Sequence, residues 1–278
     1  GLVVALGGWC VLGPAQSAMA STITIINDDF YTGFTSSQSN AGTTPNMADL
    51  PSATWQDAVT AGQYVSEHDY GGAHLQMSYP ANIAISIMSG GSYVEPSELT
   101  VSAIVVPKEL PNMVLGYYSS PPTDPTAQTT DFTGMAIDDY TGNLQLYSNG
   151  TAVGGVVDYT GTGANAWAFN GSAFTLTYTI DTSTGTVTGL TFGATGQTPV
   201  SYPDTDWGTV ANSLADYSYL GMGSYGGGVN GGNSNFANGI TLTSNAVPEP
   251  AMLSLLALGG PLLLSRRNHS RRAGRRVD

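Results

Sequence analysis

The sequence predicts an all-β sandwich, and three observations carry that prediction. Apolar and polar residues alternate with a period of two across most of residues 21–244, the spacing that puts one set of side chains on each face of a strand. Glycine is abundant, 36 of 278 residues, amid many Thr, Ser, Tyr and Asn, a mix suited to strands and tight turns. Strand-like runs recur at regular spacing, roughly a dozen of them, as in sandwiches and barrels. No amphipathic helix stands out in this region, and no repeat of 20–50 residues points to a solenoid or propeller.

The elements follow in chain order. Residues 21–25 read Ser-Thr-Ile-Thr-Ile, an alternating first strand. Residues 82–87 and 99–105 repeat the pattern. The clearest case is 173–180, where Phe174, Leu176, Tyr178 and Ile180 share one face and threonines share the other. Asp181 to Gly185 then turns the chain, and residues 186–192 return as the second arm of a hairpin. A second hairpin joins 134–138 to 144–147 through a turn at 140–143. The glycine-rich run 221–233 lacks the Lys and the helix of a phosphate-binding loop, and it reads as a flexible loop at the sandwich rim. Residues 239–243 supply a last strand.

Charge excludes one class of partner. The formal net charge is −13, but six of the seven Lys+Arg residues lie beyond residue 265, so residues 1–265 carry 19 acids and one lysine, a formal −18. A body this acidic repels phosphate backbones, which argues against nucleic acid. It suits solubility, cations or neutral polymers. The single cysteine, Cys10, leaves no disulfide and no thiolate metal site. Trp9 before it is too large for a lipoprotein cleavage site.

The two ends carry the localisation signals. Residues 1–20 read as the apolar region and cleavage site of a signal peptide, with Ala18 and Ala20 forming the small-residue pattern and the cut before Ser21. At the other end, residues 251–264 are an apolar run of 14 residues. As a helix this spans about 21 Å against a hydrocarbon core of ~30 Å, and snorkelling arginines extend its reach. Arg266, Arg267, Arg271 and Arg272 act as a cytoplasmic stop by the positive-inside rule. Val247, Pro248, Glu249 and Pro250 precede the run. Motif, apolar span and arginine cluster together resemble the PEP-CTERM sorting signal of Gram-negative bacteria. The resemblance covers about 247–276, and Pro261 and the long tail after Arg267 depart from the usual pattern. It implies export, transient residence in the inner membrane, and recognition near Pro248–Pro250 by an exosortase-type membrane protease. The surface or an exopolysaccharide matrix would then be the destination. The chain thus divides into 1–20, a body 21–246, and a sorting segment 247–278.

The body carries a second resemblance. Ile25-Ile26-Asn27-Asp28-Asp29-Phe30, the stretch Ala41-Gly42-Thr43-Thr44-Pro45, and Ala53-Thr54-Trp55 are similar to the opening of concanavalin A-like, laminin G-like jelly-roll domains. The resemblance implies that the last strand pairs near the first.

Catalysis on such a body would be glycan cleavage, which needs two carboxyl groups about 5 Å apart in a retaining enzyme. Glu67-His68-Asp69-Tyr70-Gly71-Gly72 starts the required E-x-D-x-x-E pattern but ends in Gly72. Glu95 and Glu98 flank a proline, and His68 and His74 have no evident partners. The expectation is therefore a non-enzymatic protein that binds exopolysaccharide, with a structural or adhesive matrix protein as the alternative and a glycan hydrolase behind both. Trp207, Tyr217, Tyr219 and Tyr225 are the candidate sugar-stacking rings. Asp138, Asp139 and Asn143 form the candidate calcium loop, and Asp204 and Asp206 a lesser one. No cofactor other than calcium is expected.

Overall fold

The computed structural model describes residues 21–31, 38–39, 41–48, 53–59, 65–70, 73–78, 80–87, 98–106, 112–125, 130–138, 143–158, 173–194, 198–202, 207–225 and 234–246. Among them lie β1 (Ser21–Asp28), β2 (Gln38–Ser39), β3 (Met47–Ala48), β4 (Gln56–Val59), β5 (Val65–Tyr70) and β6 (Ala73–Ser78). Next come β7 (Ala81–Ser86), β8 (Glu98–Val106), β9 (Asn112–Tyr118), β10 (Phe132–Asp138), β11 (Asn143–Ser148) and β12 (Thr151–Asp158). The series ends with β13 (Phe174–Asp181), β14 (Thr186–Ala194), β15 (Val200–Ser201), β16 (Tyr219–Tyr225) and β17 (Ser234–Ala246). A 3-10 turn, Leu214–Tyr217, precedes β16.

The all-β expectation holds. One antiparallel sheet of ten strands runs β15-β14-β13-β8-β17-β6-β5-β2, with β1 also on β17 and β3 on β1. The other, of seven strands, runs β12-β11-β10-β9-β16-β7-β4. The chain falls into two units, Thr22–Ala246, which holds both sheets, and Gly1–Ser21 with Val247–Asp278. Apart from Ser21, the second unit lies outside the described residues, and so do Ala18, Ala20, the sorting motif, the apolar run and the arginines. Among the described residues no helix is long and apolar enough to cross a membrane.

Alternation builds the core. On β8 and β13 every second side chain is buried, and both hairpins read from the sequence form, β13 with β14 and β10 with β11. Leu99, Val101, Leu176, Tyr178 and Ile180 from the larger sheet join Leu115, Met135, Ile137 and Met222 from the smaller in one apolar cluster. Tyr178 also bridges the sheets, since its hydroxyl donates to Leu115 O at 2.6 Å. It reaches there because Gly116 lies opposite Gly134, and a Cβ on either would fall within about 3.0 Å of that hydroxyl. Asp181 closes the β13–β14 turn by accepting from Ser183 Oγ and from the Ser183 and Thr184 amides. These donors, the Ser183 hydroxyl foremost, hold its carboxyl below the ordinary value.

The first and last strands meet as neighbours. β17, 13 residues long, borders β8 on one side. Its first residues pair with β6 on the other side, and its later ones lie along β1, where Thr241 Oγ1 donates to Asn27 Oδ1 at 2.9 Å. Asn27 meets Thr241 while Asp28 and Asp29 lie beside Gly239, so the two strands run in opposite directions and Thr22 and Ala246 stand toward the same end of the pair.

Where β1 ends, Asp28 is buried, 4% exposed, and accepts from Phe30 N at 2.9 Å and from Trp55 Nε1 at 2.7 Å. Burial pushes its carboxyl above the ordinary value of 3.8, although the Phe30 amide and Trp55 indole pull the other way. The neutral form is therefore favoured by folding. Its stabilising contribution is fully present below pH 3.8 and is lost as pH rises through the raised native value. Thermal melts between pH 3 and pH 7 check this against Asp28→Asn, which cannot titrate. The advantage of the parent chain over that variant is expected to shrink as pH rises; a constant gap would contradict the assignment.

Candidate functional site

The outward face of the seven-stranded sheet carries the candidate site. On β9 and β10, Met113, Leu115, Tyr117, Met135 and Ile137 point into the core, so the alternate residues point out. There Tyr118, Phe132, Val114, Ala136 and Ala84 form a second apolar cluster and are all buried, while Tyr147 and Tyr219, packed against it, are partly open. Register explains the grouping, because Tyr118 lies opposite both Phe132 and Tyr219. The Tyr118 and Phe132 ring centroids are 5.3 Å apart, and those of Phe132 and Tyr147 are 6.4 Å apart.

Glycine makes room for this patch. Residues 221–225, expected to belong to a loop, lie in β16, an interior strand of the sheet between β9 and β7. Glycine content suggests flexibility, but here glycine is a packing device. A Cβ at Gly221 would lie 2.7 Å from Ile83 O and 2.8 Å from the Tyr118 ring. A Cβ at Gly223 would collide with Asn82 Oδ1. Met222, Leu220 and Ser224 are all buried, and the first two serve the core. Residues 226–233 lie outside the described residues.

Polar groups gather at one end of the patch. Asn82 is fully buried, takes a long 3.5 Å contact from the Tyr118 hydroxyl, and its Nδ2 has no hydrogen-bond partner. A recess of about 100 Å³ opens beside Tyr118, walled by Pro121 and Pro122 and by Ser120, Asp124, Thr130 and Asp131. That is well below the ~300 Å³ of a small-molecule pocket, so a ligand here would lie across an open face instead of entering a cavity. The β11–β12 turn braces the rim: Asn149 (φ +44°) and Gly150 (φ +78°) have the left-handed geometry of a tight hairpin. Asn149 N donates to Thr133 Oγ1 at 3.1 Å, and Gly150 N to Phe132 O at 2.9 Å.

Of the four expected stacking rings, Tyr219 lies on this patch. Trp207 (8% exposed) and Tyr217 (0%) are core residues. Tyr217 packs edge-on to Tyr117 at 5.3 Å and its hydroxyl donates to Ala211 O. A sugar cannot reach a ring face already covered by protein, so the stacking role expected of these two gives way to a packing role. Burial also pushes the Tyr117 and Tyr178 phenols well above their ordinary value. Tyr225 ends β16, opposite Asn112. Tyr118, Phe132 and Tyr147 sit on three separate strands, and only cross-strand register reveals them as one cluster.

The polar candidates are dispersed. Asp138 and Asn143 face each other across the β10–β11 hairpin, Asn143 is also opposite Asp158, and Asp139 lies outside the described residues. Asp204 and Asp206 lie outside them as well. Among the described residues no group of three His, Cys, Asp or Glu side chains is placed to hold a metal. Glu67 lies on β5 opposite Leu75, while Glu98 accepts from Asn245 Nδ2 on β17.

Comparison with known proteins adds fold-level likenesses only. No protein-family model and no curated protein matches the chain. A protein of unknown function from Shewanella oneidensis MR-1 is 14% identical, with a TM-score of 0.49 over 82% of this chain and 88% of its own. Arcelin-5, a lectin-like defence protein from Phaseolus vulgaris, is 10% identical, with a TM-score of 0.46 over 83% of this chain and all of its own. The botulinum neurotoxin serotype D binding domain is 10% identical with a TM-score of 0.48, covering 81% of this chain, which spans about half (49%) of that structure. The assignment of an all-β, two-sheet body rests on the strand order itself.

Gly221→Ala tests the bed beneath the patch. With backbone on one side and a ring on the other, overpacking is expected to cost about 1–3 kcal/mol. A thermal melt reads this, and an unchanged midpoint would mean that the Tyr118 ring is not seated on β16.

Proposed function

We propose that this chain is an exported, non-catalytic surface or matrix protein whose body binds a neutral exopolysaccharide across the aromatic patch of the seven-stranded sheet. The observation that carries the reading is the pair of partly open rings Tyr147 and Tyr219, packed on the buried rings of Tyr118 and Phe132 and lying near a recess edged with hydroxyls and carboxylates. The open pair supplies the stacking faces and the buried pair holds them in place. Rings offer flat apolar faces to sugar rings, and a few polar groups at the border orient the chain. The body takes the concanavalin A-like jelly-roll topology that its opening residues imply. Calcium, if used, is held near Asp138 and Asn143, whose backbones already face each other.

The ends supply the route. The signal sequence exports residues 21–246, the arginines hold the tail at the inner membrane, and an exosortase-type protease acts near Pro248–Pro250. The structural or adhesive alternative is favoured by one observation, the Thr-rich outer face of the ten-stranded sheet.

Two experiments test these statements. A thermal melt of the protein with neutral polysaccharides, with calcium or chelator as separate arms, is expected to show a saturable rise with polysaccharide. Tyr219→Ala is expected to weaken binding by about 0.5–1.5 kcal/mol, up to about tenfold in Kd. No rise with any polysaccharide would sink the binding reading and favour the structural one. Separately, host cells lacking the protease are expected to retain the full-length product in the membrane; normal size and release there would refute the sorting reading.

A further inference from the structure

The outer face of the ten-stranded sheet carries a second, chemically different surface. On β13, β8 and β17 the inward residues are mostly apolar, and the central outward ones, Thr177, Thr179, Ser102, Thr100, Thr241 and Thr243, are hydroxyl-bearing and half-buried, with Ile104 outward at one margin. Register aligns them into rows. Thr177 stands opposite Ser102, and Ser102 opposite Thr241; two residues along, Thr179 stands opposite Thr100, and Thr100 opposite Thr243. β14 extends both rows with further threonines, and Asn27 of β1 joins the first through Thr241. The result is a grid with columns about 4.8 Å apart across the strands and rows about 6.8 Å apart along them.

We propose that this grid is an ice-binding face, whose ligand is the ordered water of a crystal surface. A partner that meets a two-dimensional repeat at many points must itself be periodic in two dimensions, and a water lattice is. Each threonine presents a hydroxyl that can take a place among hydrogen-bonded waters and a methyl that covers the space beside it. The grid is set before any contact is made, since Thr100 Oγ1 lies 2.7 Å from Thr179 Oγ1 and Ser102 Oγ lies 2.8 Å from Thr177 Oγ1. Groups held in one arrangement lose little entropy on docking.

Charge selects the same occupant. Residues 1–265 carry a formal −18, yet the six grid positions are neutral. The acids Asp181 and Glu98 form the next row, at the margin, where Asp181 is engaged by its own turn and Glu98 by Asn245. A neutral lattice therefore meets no ionic hydration shell over the grid. The six positions also carry no aromatic ring, the feature that a sugar-binding face depends on. Sheet twist, about 20–25° per strand step, confines flat contact to the three central strands. The activity expected is accordingly a slowing of ice recrystallisation and not a large depression of the freezing point.

The test is an ice-recrystallisation assay on the full chain, read as grain size after annealing, beside an equal mass of an unrelated protein. The parent is expected to keep grains small. Thr177→Tyr, which retains strand propensity but breaks the grid at its centre, is expected to need about tenfold more protein for the same effect. Circular dichroism confirms folding, and Thr241→Tyr replaces that variant if it fails to fold. Tyr219→Ala, on the other sheet, is expected to leave grain size unchanged, which separates this surface from the polysaccharide patch. Coarsening as fast as with the unrelated protein overturns the proposal, as does a folded Thr177→Tyr or Thr241→Tyr with full activity. Loss of polysaccharide pelleting in Thr177→Tyr, with no ice effect in the parent, also overturns it and assigns the grid to a polymer.

Discussion

The fold depends on one buried carboxylate and the indole that reaches it. Asp28 closes β1, and its two oxygens divide their work between the Phe30 amide and Trp55 Nε1. The first bond curls the chain so sharply that Phe30 takes φ +54°, which seats its ring against Trp55 at 5.5 Å. The second ties the segment that leads into β4, so the larger sheet is pinned to the edge of the smaller by a contact 27 residues long in sequence. Backbone bonds from Gly42 to Trp55 O and from Trp55 to Thr43 O hold the intervening loop, and Asn46 anchors it to Asp29. The cost of burying a carboxylate is offset only because its oxygens meet donors in fixed positions.

This arrangement shows why some of the molecule was legible in its sequence. The order Asp-Asp-Phe, Gly-Thr-Thr-Pro, Thr-Trp marks local backbone needs, a positive φ here and a turn there, and each has a residue-level signature. The same holds for the β13–β14 hairpin, where period-two alternation and an Asp-to-Gly turn are both local. Residues 221–225 form strand where the sequence suggests a loop, because glycine has two uses that a single sequence does not separate. It frees a loop, and it also vacates space for a neighbour's ring, and the second use is visible only when Tyr118 of another strand arrives.

The aromatic surface illustrates the same limit. Alternation fixes which residues share a face of one strand. It does not say which strands are adjacent, and Tyr118, Tyr147 and Tyr219 become neighbours only through the order β11-β10-β9-β16. Trp207 and Tyr217 had the opposite fate. They lie among Gly, Ser and Asn residues that suggest a surface loop, yet their rings fill the core between the sheets. The sandwich thus turns one polypeptide into two outward faces of contrasting chemistry, the partly open rings of Tyr147 and Tyr219 on one and hydroxyls on the other, with a shared apolar interior.

The adjacency of Thr22 and Ala246 at one end of the β1–β17 pair has a mechanical meaning. Tension applied between those two points acts across the strands and opens their hydrogen bonds one after another, as a zipper opens. Strands pulled from opposite ends must instead break all their bonds together. The body therefore yields at low force when drawn from both ends. Held at Ala246 alone, it transmits no load through its core.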